Sequence, residues 1–186
     1  MTRFNCIDTP IPGLVLFERR RIGDQRGYLE RLFCRDDLTE LLHDRPIVQI
    51  NHSYTAQTGT VRGMHFQHPP HAEMKFVTCL HGEVWDVAVD LRLGSPTFLH
   101  WHAEHLSADN RRTLLIPEGF AHGFQTLVDD SELLYLHTAA YRADAEGALN
   151  AIDPRLAINW PLPIAERSVR DQSHPWLDDG FSGMNI

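Results

Sequence analysis

The stretch from residue 65 to residue 73 has the highest density of side chains that could bind a metal ion. It contains His65, His68, His71 and Glu73, which is enough for a site made of two histidines and one carboxylate. The spacing does not favour such a site, because the histidines fall at every third residue and two prolines interrupt them. Ligands on one face of a strand are expected two residues apart. The sequence therefore predicts no metal site here.

Lysine is used at a single position in this chain. Sixteen of the seventeen basic residues are arginine, and the only lysine is Lys75, inside the same polar stretch. Either chance or a requirement for a compact ammonium group explains this usage. Lys75 is therefore a candidate for stabilising negative charge on an oxygen atom of a ligand.

A second motif spans residues 117–122, with the sequence Pro-Glu-Gly-Phe-Ala-His. Proline and glycine favour a turn between two strands, and the histidine at the end of such a motif is expected to point into a β-barrel. The motif indicates a fold more than a function. We expect His122 to contact a substrate rather than a metal ion.

Length and composition limit the kind of protein that positions these groups. The chain has 186 residues, 42% of them hydrophobic, which suits a single domain over 1–186 with a substantial core. The formal net charge is −8, which argues against a broad surface for nucleic acid. No segment is apolar and long enough to cross a membrane, so we expect a cytoplasmic protein. Cys6, Cys34 and Cys79 are predicted to be reduced, buried thiols.

Most of the chain alternates apolar and polar residues with a period of two, which is typical of β-strands. A mainly β fold, a sandwich or barrel, is therefore predicted. We expect a short helix over 35–43 and an irregular C-terminal segment from about residue 161, with a helical turn near 165–170. The predicted strands are 47–53, 61–67, 75–80, 83–91, 97–106, 112–116, 120–128 and 132–138.

Four motifs occur together in this order. They are Val-Arg-Gly-Met-His-Phe-Gln at 61–67, Val-Trp-Asp-Val-Ala-Val-Asp-Leu-Arg at 84–92, Leu-Ser-Ala-Asp-Asn at 106–110, and Ile-Pro-Glu-Gly-Phe-Ala-His-Gly-Phe at 116–124. With them, residues 10 to 175 resemble the dTDP-4-dehydrorhamnose 3,5-epimerase family. The resemblance implies a cupin jelly roll, a homodimer, and an enzyme without metal or other cofactor that acts on a nucleotide-linked 4-keto-6-deoxyhexose.

Epimerisation beside a ketone requires three groups that converge on the substrate. A base removes the proton, a cation stabilises the enolate, and an acid returns a proton to the opposite face. The resemblance implies His65 as the base, paired with Asp171, with Lys75 at the keto oxygen. Tyr135 matches the acid of the family.

The resemblance also implies a set of residues that bind the nucleotide and the sugar. Arginine suits the diphosphate, because its guanidinium group binds phosphate oxygens in pairs, and Tyr141 could stack on the base. The implied substrate-binding residues are Arg26, Gln49, Asn51, Arg62, His122, Tyr141, Glu146 and Arg170.

Three positions depart from the pattern of the family. His137 and Ile50 are unexpected residue types, and Arg31 stands where many members have glutamate, with Glu30 one place earlier. Glutamate accepts a hydrogen bond from N3 of thymine, whereas arginine would donate one to N3 of cytosine. Arg31 is therefore a further candidate substrate-binding residue, and a CDP-linked sugar is an alternative to a dTDP-linked one.

Other functions remain open on the sequence alone. A sugar-nucleotide 3,4-ketoisomerase would use the same histidine on the same fold. A non-catalytic sugar-binding cupin and a metal-dependent cupin oxygenase belong to other classes. Only the epimerase and the ketoisomerase exchange carbon-bound hydrogen of a substrate with solvent.

Overall fold

The computed structural model describes residues 3–186, and these residues form thirteen strands and two short α-helices. The strands are β1 (Phe4–Asp8), β2 (Val15–Arg19), β3 (Arg21–Asp24), β4 (Gly27–Glu30), β5 (Gln49–Thr55), β6 (Val61–Gln67), β7 (Lys75–His81), β8 (Glu83–Asp90), β9 (Trp101–Ser107), β10 (Arg112–Ile116), β11 (Phe120–Thr126), β12 (Ser131–His137) and β13 (Glu146–Ala148). The helices are α1 (Thr39–Leu42) and α2 (Val169–Gln172).

Two antiparallel sheets form the barrel. The larger sheet has the strand order β1-β2-β10-β7-β12-β5, and the smaller sheet has the order β13-β6-β11-β8-β9. Strands β3 and β4 form a separate hairpin. The connections between sheets are those of a jelly roll, so the mainly β prediction is confirmed.

Apolar side chains fill the space between the sheets and also cover both outer faces. Val77 and Leu133 of the larger sheet pack with Ala88 and Phe124 of the smaller sheet in the central core. A sheet buried on both faces has strands without an exposed side. Strand β8 shows this: Val84 and Ala88 pack in the central core, Val87 and Val89 pack on the outer face, and Asp86, on the inner face, is fully buried.

The outer face of the smaller sheet is covered by the C-terminal part of the chain. Leu149, Leu156, Leu177 and Met184 pack against this face. Beyond Ala148 the described residues contain one helix, α2, and are otherwise irregular. The irregular segment thus begins at residue 149 rather than at 161. It is a packed layer of the barrel.

The predicted strands all occur, with shifts at their ends. The largest shift is at β9, which begins at Trp101 rather than at residue 97. The hydroxyl groups of Ser95 and Thr97 donate to Asp90 Oδ2 at 2.5 and 2.7 Å, and these bonds hold the preceding residues in a loop. Strands β1 to β4 and β13 were not predicted. Strands β3, β4 and β13 have only three or four residues each, whereas β1 and β2 are as long as β10.

The predicted helix over 35–43 is shorter than expected. A 3-10 turn at Asp36–Leu38 precedes the single turn of α1, and His43 ends it with φ of 46°. Leu38 and Leu42 are buried. Within residues 3–186, no helix is long and apolar enough to cross a membrane.

The three cysteines are free thiols, as expected. Only Cys79 is buried, where desolvation raises its pKa to about 12. Cys34 is half-buried and Cys6 is exposed, because β1 is an edge strand. The prediction of burial is therefore wrong for Cys6.

Candidate active site

A cavity of about 520 Å³ is lined by residues from both sheets. Strands β5, β7 and β12 supply one wall, and β6 and β11 supply the other. The cavity collects several residues that the sequence predicted, namely His65, Lys75, Tyr135, Asn51, Arg62 and His122.

His65 and Asp171 form a close pair at the wall of the smaller sheet. His65 Nε2 lies 2.8 Å from Asp171 Oδ1, and the backbone N–H of Gly63 donates to Asp171 Oδ2 at 3.3 Å. Asp171 is held by α2, where its backbone N–H donates to the hydroxyl of Ser168 at 3.0 Å. Burial raises the pKa of Asp171, but the hydrogen bond and charge of His65 outweigh burial and leave it below its usual value. The carboxylate thus fixes the imidazole and leaves Nδ1 as the nitrogen that can accept a proton.

His174 is a third member of this group, and sequence reasoning missed it. Its Nε2 lies 3.0 Å from Asp171 Oδ1 and 3.2 Å from His65 Nε2. Burial and the charge of His65 lower the pKa of His174, which favours its neutral form. Within residues 3–186, these three are the group of His, Cys, Asp and Glu side chains whose ligand atoms lie within 4.8 Å of one another. The tract at 65–73 forms no such group.

Lys75 lies at the start of β7, on the wall of the larger sheet. Its Nζ is 3.0 Å from Glu73 Oε1, and both side chains are largely buried. The second oxygen of Glu73 accepts from His137 Nδ1 at 2.9 Å. Sequence reasoning singled out His137 only as an unexpected residue type, and it did not assign a role to Glu73.

Tyr135 lies on β12, on the same wall as Lys75. Its hydroxyl is 3.3 Å from Ser53 Oγ. Burial raises the pKa of Tyr135 above its usual value, so the phenol keeps its proton at neutral pH. A protonated phenol is suited to act as an acid.

His122 lies on β11 and faces the cavity with its ring edge toward Tyr135, at 6.1 Å between ring centroids. Its Nε2 is 2.7 Å from Asp86 Oδ1. Desolvation raises the pKa of Asp86, although the charge of His122 opposes this. The motif at 117–122 therefore delivers its histidine into the barrel, as predicted.

The remaining predicted binding residues fall into two groups near the cavity. Tyr141 donates from its hydroxyl to Glu146 Oε2 at 2.8 Å, and Arg170 also contacts Glu146. Gln49 accepts from the backbone N–H of Tyr141 at 2.9 Å and donates to Asn51 at 3.2 Å. A second cavity of about 570 Å³ is lined by Arg62, His65, Arg170 and Asp171, among others.

Arg26 and Arg31 line neither cavity, and the same is true of Gln49, Tyr141 and Glu146. Arg26 is exposed at the β3–β4 turn, where it pairs with Asp24 at 2.6 Å. Arg31 pairs with Asp37 at 3.1 Å, and Glu30 lies 3.5 Å from Arg19. Neither Arg31 nor Glu30 lines the cavity of His65. No residue of the hairpin, Arg21 to Glu30, lines either cavity.

Fold and site together define a class of protein. A jelly roll that surrounds a polar cavity with an aspartate-paired histidine, an ammonium and a phenol carries the groups that move protons on carbon. The structure therefore shows the features of a cupin-type isomerase.

Comparison with known proteins gives the family. The family model described as dTDP-4-dehydrorhamnose 3,5-epimerase matches residues 8–179. The chain belongs to this family of epimerases, and its fold is the cupin jelly roll.

Relatives are similar to this chain over most of its length. The dTDP-4-dehydrorhamnose 3,5-epimerase of Salmonella typhimurium is 42% identical over 94% of this chain and 96% of its own length. The solved epimerase of Legionella pneumophila, in complex with dTDP-4-keto-L-rhamnose, has a TM-score of 0.91 and 38% identity, and the match covers 98% of both chains. A 3'-monoepimerase of Streptomyces bikiniensis, in complex with dTDP-quinovose, has a TM-score of 0.83 and 31% identity over 90% of this chain and 85% of its own.

Proposed function

We propose that this chain epimerises a dTDP-linked 4-keto-6-deoxyhexose at C3, at C5 or at both, through an enolate. One observation carries the proposal: the candidate base, His65, lies on the smaller sheet, whereas the candidate acid, Tyr135, lies on the larger sheet across the same cavity. Inversion requires a proton to leave one face of a carbon and another to arrive at the opposite face. Two groups on opposite walls meet this requirement.

The proposed reaction begins at Nδ1 of His65. This nitrogen takes the proton from the carbon beside the keto group, and the C–H electron pair forms a C–C double bond while the carbonyl π electrons move to oxygen. Asp171 stabilises the imidazolium that results. Lys75 stabilises the enolate oxygen.

Protonation then completes the inversion. The hydroxyl of Tyr135 gives its proton to the carbon from the larger sheet, the double bond supplies the electron pair, and the carbonyl reforms. His65 then carries one additional proton and Tyr135 one fewer, and exchange with solvent restores both. No step in this scheme requires a metal ion or an organic cofactor.

The nucleotide is proposed to extend across the mouth of the cavity. Arg62 lines both the first cavity and the adjoining one, which also includes Arg170. Two guanidinium groups at this position suit a diphosphate. We propose Gln49, Asn51, His122, Tyr141 and Glu146 as further substrate contacts.

Deuterium exchange tests this function. After incubation of the enzyme with dTDP-4-keto-6-deoxyglucose in deuterated water, we expect NMR to show deuterium at C3, C5 or both, with and without EDTA. Exchange at C3 with movement of the keto group would favour the 3,4-ketoisomerase. Binding without exchange would favour a non-catalytic sugar-binding protein, and activity that EDTA removes and a divalent ion restores would favour the oxygenase.

Base preference follows from the position of Arg31. Because Arg31 pairs with Asp37 outside the cavity, we propose a dTDP-linked rather than a CDP-linked substrate. Calorimetry on the wild type and on Arg31→Glu is expected to show tighter binding of dTDP than of CDP, with the ratio of affinities unchanged by the substitution. Tighter binding of CDP by the wild type, reversed in the variant, would restore the CDP alternative.

The assembly is proposed to be a homodimer that works in the cytoplasm. Hairpin β3–β4 and the residues around it expose large apolar side chains, with Ile22 at 47%, Tyr28 at 62% and Leu29 at 69% exposure. A surface of this kind is typical of an interface between subunits. No nucleic-acid or membrane partner is proposed.

A further inference from the structure

Glu73 contacts both Lys75 and His137 at the wall of the larger sheet, and the proposed reaction does not use it. Its carboxylate lies between two groups that can carry positive charge, at 3.0 Å from Lys75 Nζ and 2.9 Å from His137 Nδ1. The exposed fractions of the Glu73, Lys75 and His137 side chains are 8%, 11% and 10%. Lys75 and His137 both line the cavity.

The carboxylate is ionised in this setting. Burial raises the pKa of Glu73, but the hydrogen bond from His137 and the charge of Lys75 outweigh burial and hold the pKa below its usual value. A buried anion next to a buried ammonium favours the charged form of both. The pair therefore places a cationic side chain and its counter-charge together at the cavity wall.

His137 completes the arrangement on the other side of the carboxylate. Its Nε2 faces the amide nitrogen of Asn51 at 3.4 Å, and an amide N–H only donates. Nε2 is therefore the acceptor and Nδ1 carries the proton that is donated to Glu73. The imidazole of His137 thus contacts the second carboxylate oxygen and restrains it.

The charged groups around this cluster come from several strands. His122 on β11 lines the cavity, Asp86 on β8 contacts His122 at 2.7 Å, and the charge of Lys75 acts on Asp86. Tyr135 stacks on His137 with ring centroids 6.1 Å apart. The carboxylate that contacts the ammonium of Lys75 directly is that of Glu73, at 3.0 Å.

We propose that Glu73 and His137 are positioning residues that keep Lys75 protonated and directed at the keto oxygen. Glu73 supplies the counter-charge, and His137 fixes the carboxylate so that it cannot follow the ammonium toward the substrate. This inference rests on the proposed function, since it assigns a purpose to the charge of Lys75. Neither residue contacts the reacting atoms.

The pH dependence of turnover tests the role of Glu73. Glu73→Gln keeps the shape and removes the counter-charge, so we expect kcat to fall at least 10-fold at pH 8 with KM changed less than 3-fold. The alkaline limb of the kcat profile should move at least 1 pH unit lower, because a desolvated ammonium without a counter-charge releases its proton more readily. A uniform decrease across pH, with no movement of the limb, would overturn the proposal.

The Lys75→Arg variant serves to identify the group whose titration gives the alkaline limb of the kcat profile. A guanidinium group keeps its charge throughout the pH range of the assay, so Glu73→Gln should not move the limb when it is introduced into Lys75→Arg. An equal shift in that background would show that another group, such as Tyr135, is responsible, and would also overturn the proposal.

Variants of His137 and of a matched surface pair complete the experiment. His137→Phe should lower kcat, whereas His137→Asn, which retains an N–H donor, should recover at least part of the loss. Glu83 contacts His105 at 2.9 Å outside the cavity, so Glu83→Gln is expected to leave kcat and its pH profile unchanged. If the wild type exchanges no deuterium, the proposed function is wrong. If the wild type is active but Glu73→Gln does not move the alkaline limb of the kcat profile, only the role assigned to Glu73 is wrong.

Discussion

His65→Asn is expected to lower turnover by about 10² to 10⁴-fold while the fold is retained, because a positioned general base contributes an effect of that size. Asparagine keeps a polar side chain at a position that is one-third exposed, so the strand should tolerate it. Turnover of dTDP-4-keto-6-deoxyglucose and circular dichroism of the same sample measure the two parts of this prediction.

A matched variant separates loss of the base from loss of any histidine. His105 also pairs with a carboxylate, Glu83 at 2.9 Å, but lies away from the cavity. His105→Asn should keep the turnover of the wild type. Near-normal turnover in a folded His65→Asn protein would remove His65 from the mechanism.

Lys75→Met is expected to lower deuterium exchange by about 10² to 10³-fold, the size of effect seen when a group that stabilises an oxyanion is removed. Binding of dTDP should persist, because the ammonium is proposed to act on charge that develops in the transition state and not on the diphosphate. Calorimetry with dTDP and exchange followed by NMR make the comparison. Equal losses of binding and exchange would instead identify Lys75 as a phosphate contact.

The buried partner of Lys75 requires a control for folding. Methionine leaves Glu73 without its cation, and an uncompensated buried charge destabilises a protein. The double variant Lys75→Met, Glu73→Gln removes both charges and should unfold at nearly the temperature of the wild type. Its exchange should be as low as that of Lys75→Met, because the ammonium is absent from both.

All the strands of seven or eight residues could be predicted from the sequence. Strands β6 and β10 have the predicted bounds: β6 alternates from Met64 to Gln67, and β10 ends in the short apolar run 114–116. The hairpin β3–β4 spans only Arg21 to Glu30 and has exposed apolar residues, so its pattern resembles a loop. The C-terminal layer was not predicted, because its apolar side chains follow no regular period.

The site was predictable only where motifs carried it. His65, Lys75 and Tyr135 came from motifs and resemblance, and the cavity contains all three. His174 and Glu73 were missed because their importance depends on contacts made in three dimensions, such as that of His174 with a histidine 109 positions earlier. The locations of Arg26 and Arg31 depend on how the hairpin leaves the barrel, which strand patterns do not determine.

Asp171 is the last of the candidate catalytic residues to be synthesised. The thirteen strands within residues 3–186 all precede residue 149, whereas α2 follows an isolated bridge between Thr60 and Glu166. During synthesis, His65, Lys75 and Tyr135 therefore leave the ribosome before Asp171, the carboxylate that contacts His65. The segment that carries Asp171 also covers the outer face of the smaller sheet, so one docking event buries that face and brings the carboxylate to His65. The final fifth of the chain therefore supplies both a packed layer of the fold and the carboxylate of the candidate base pair.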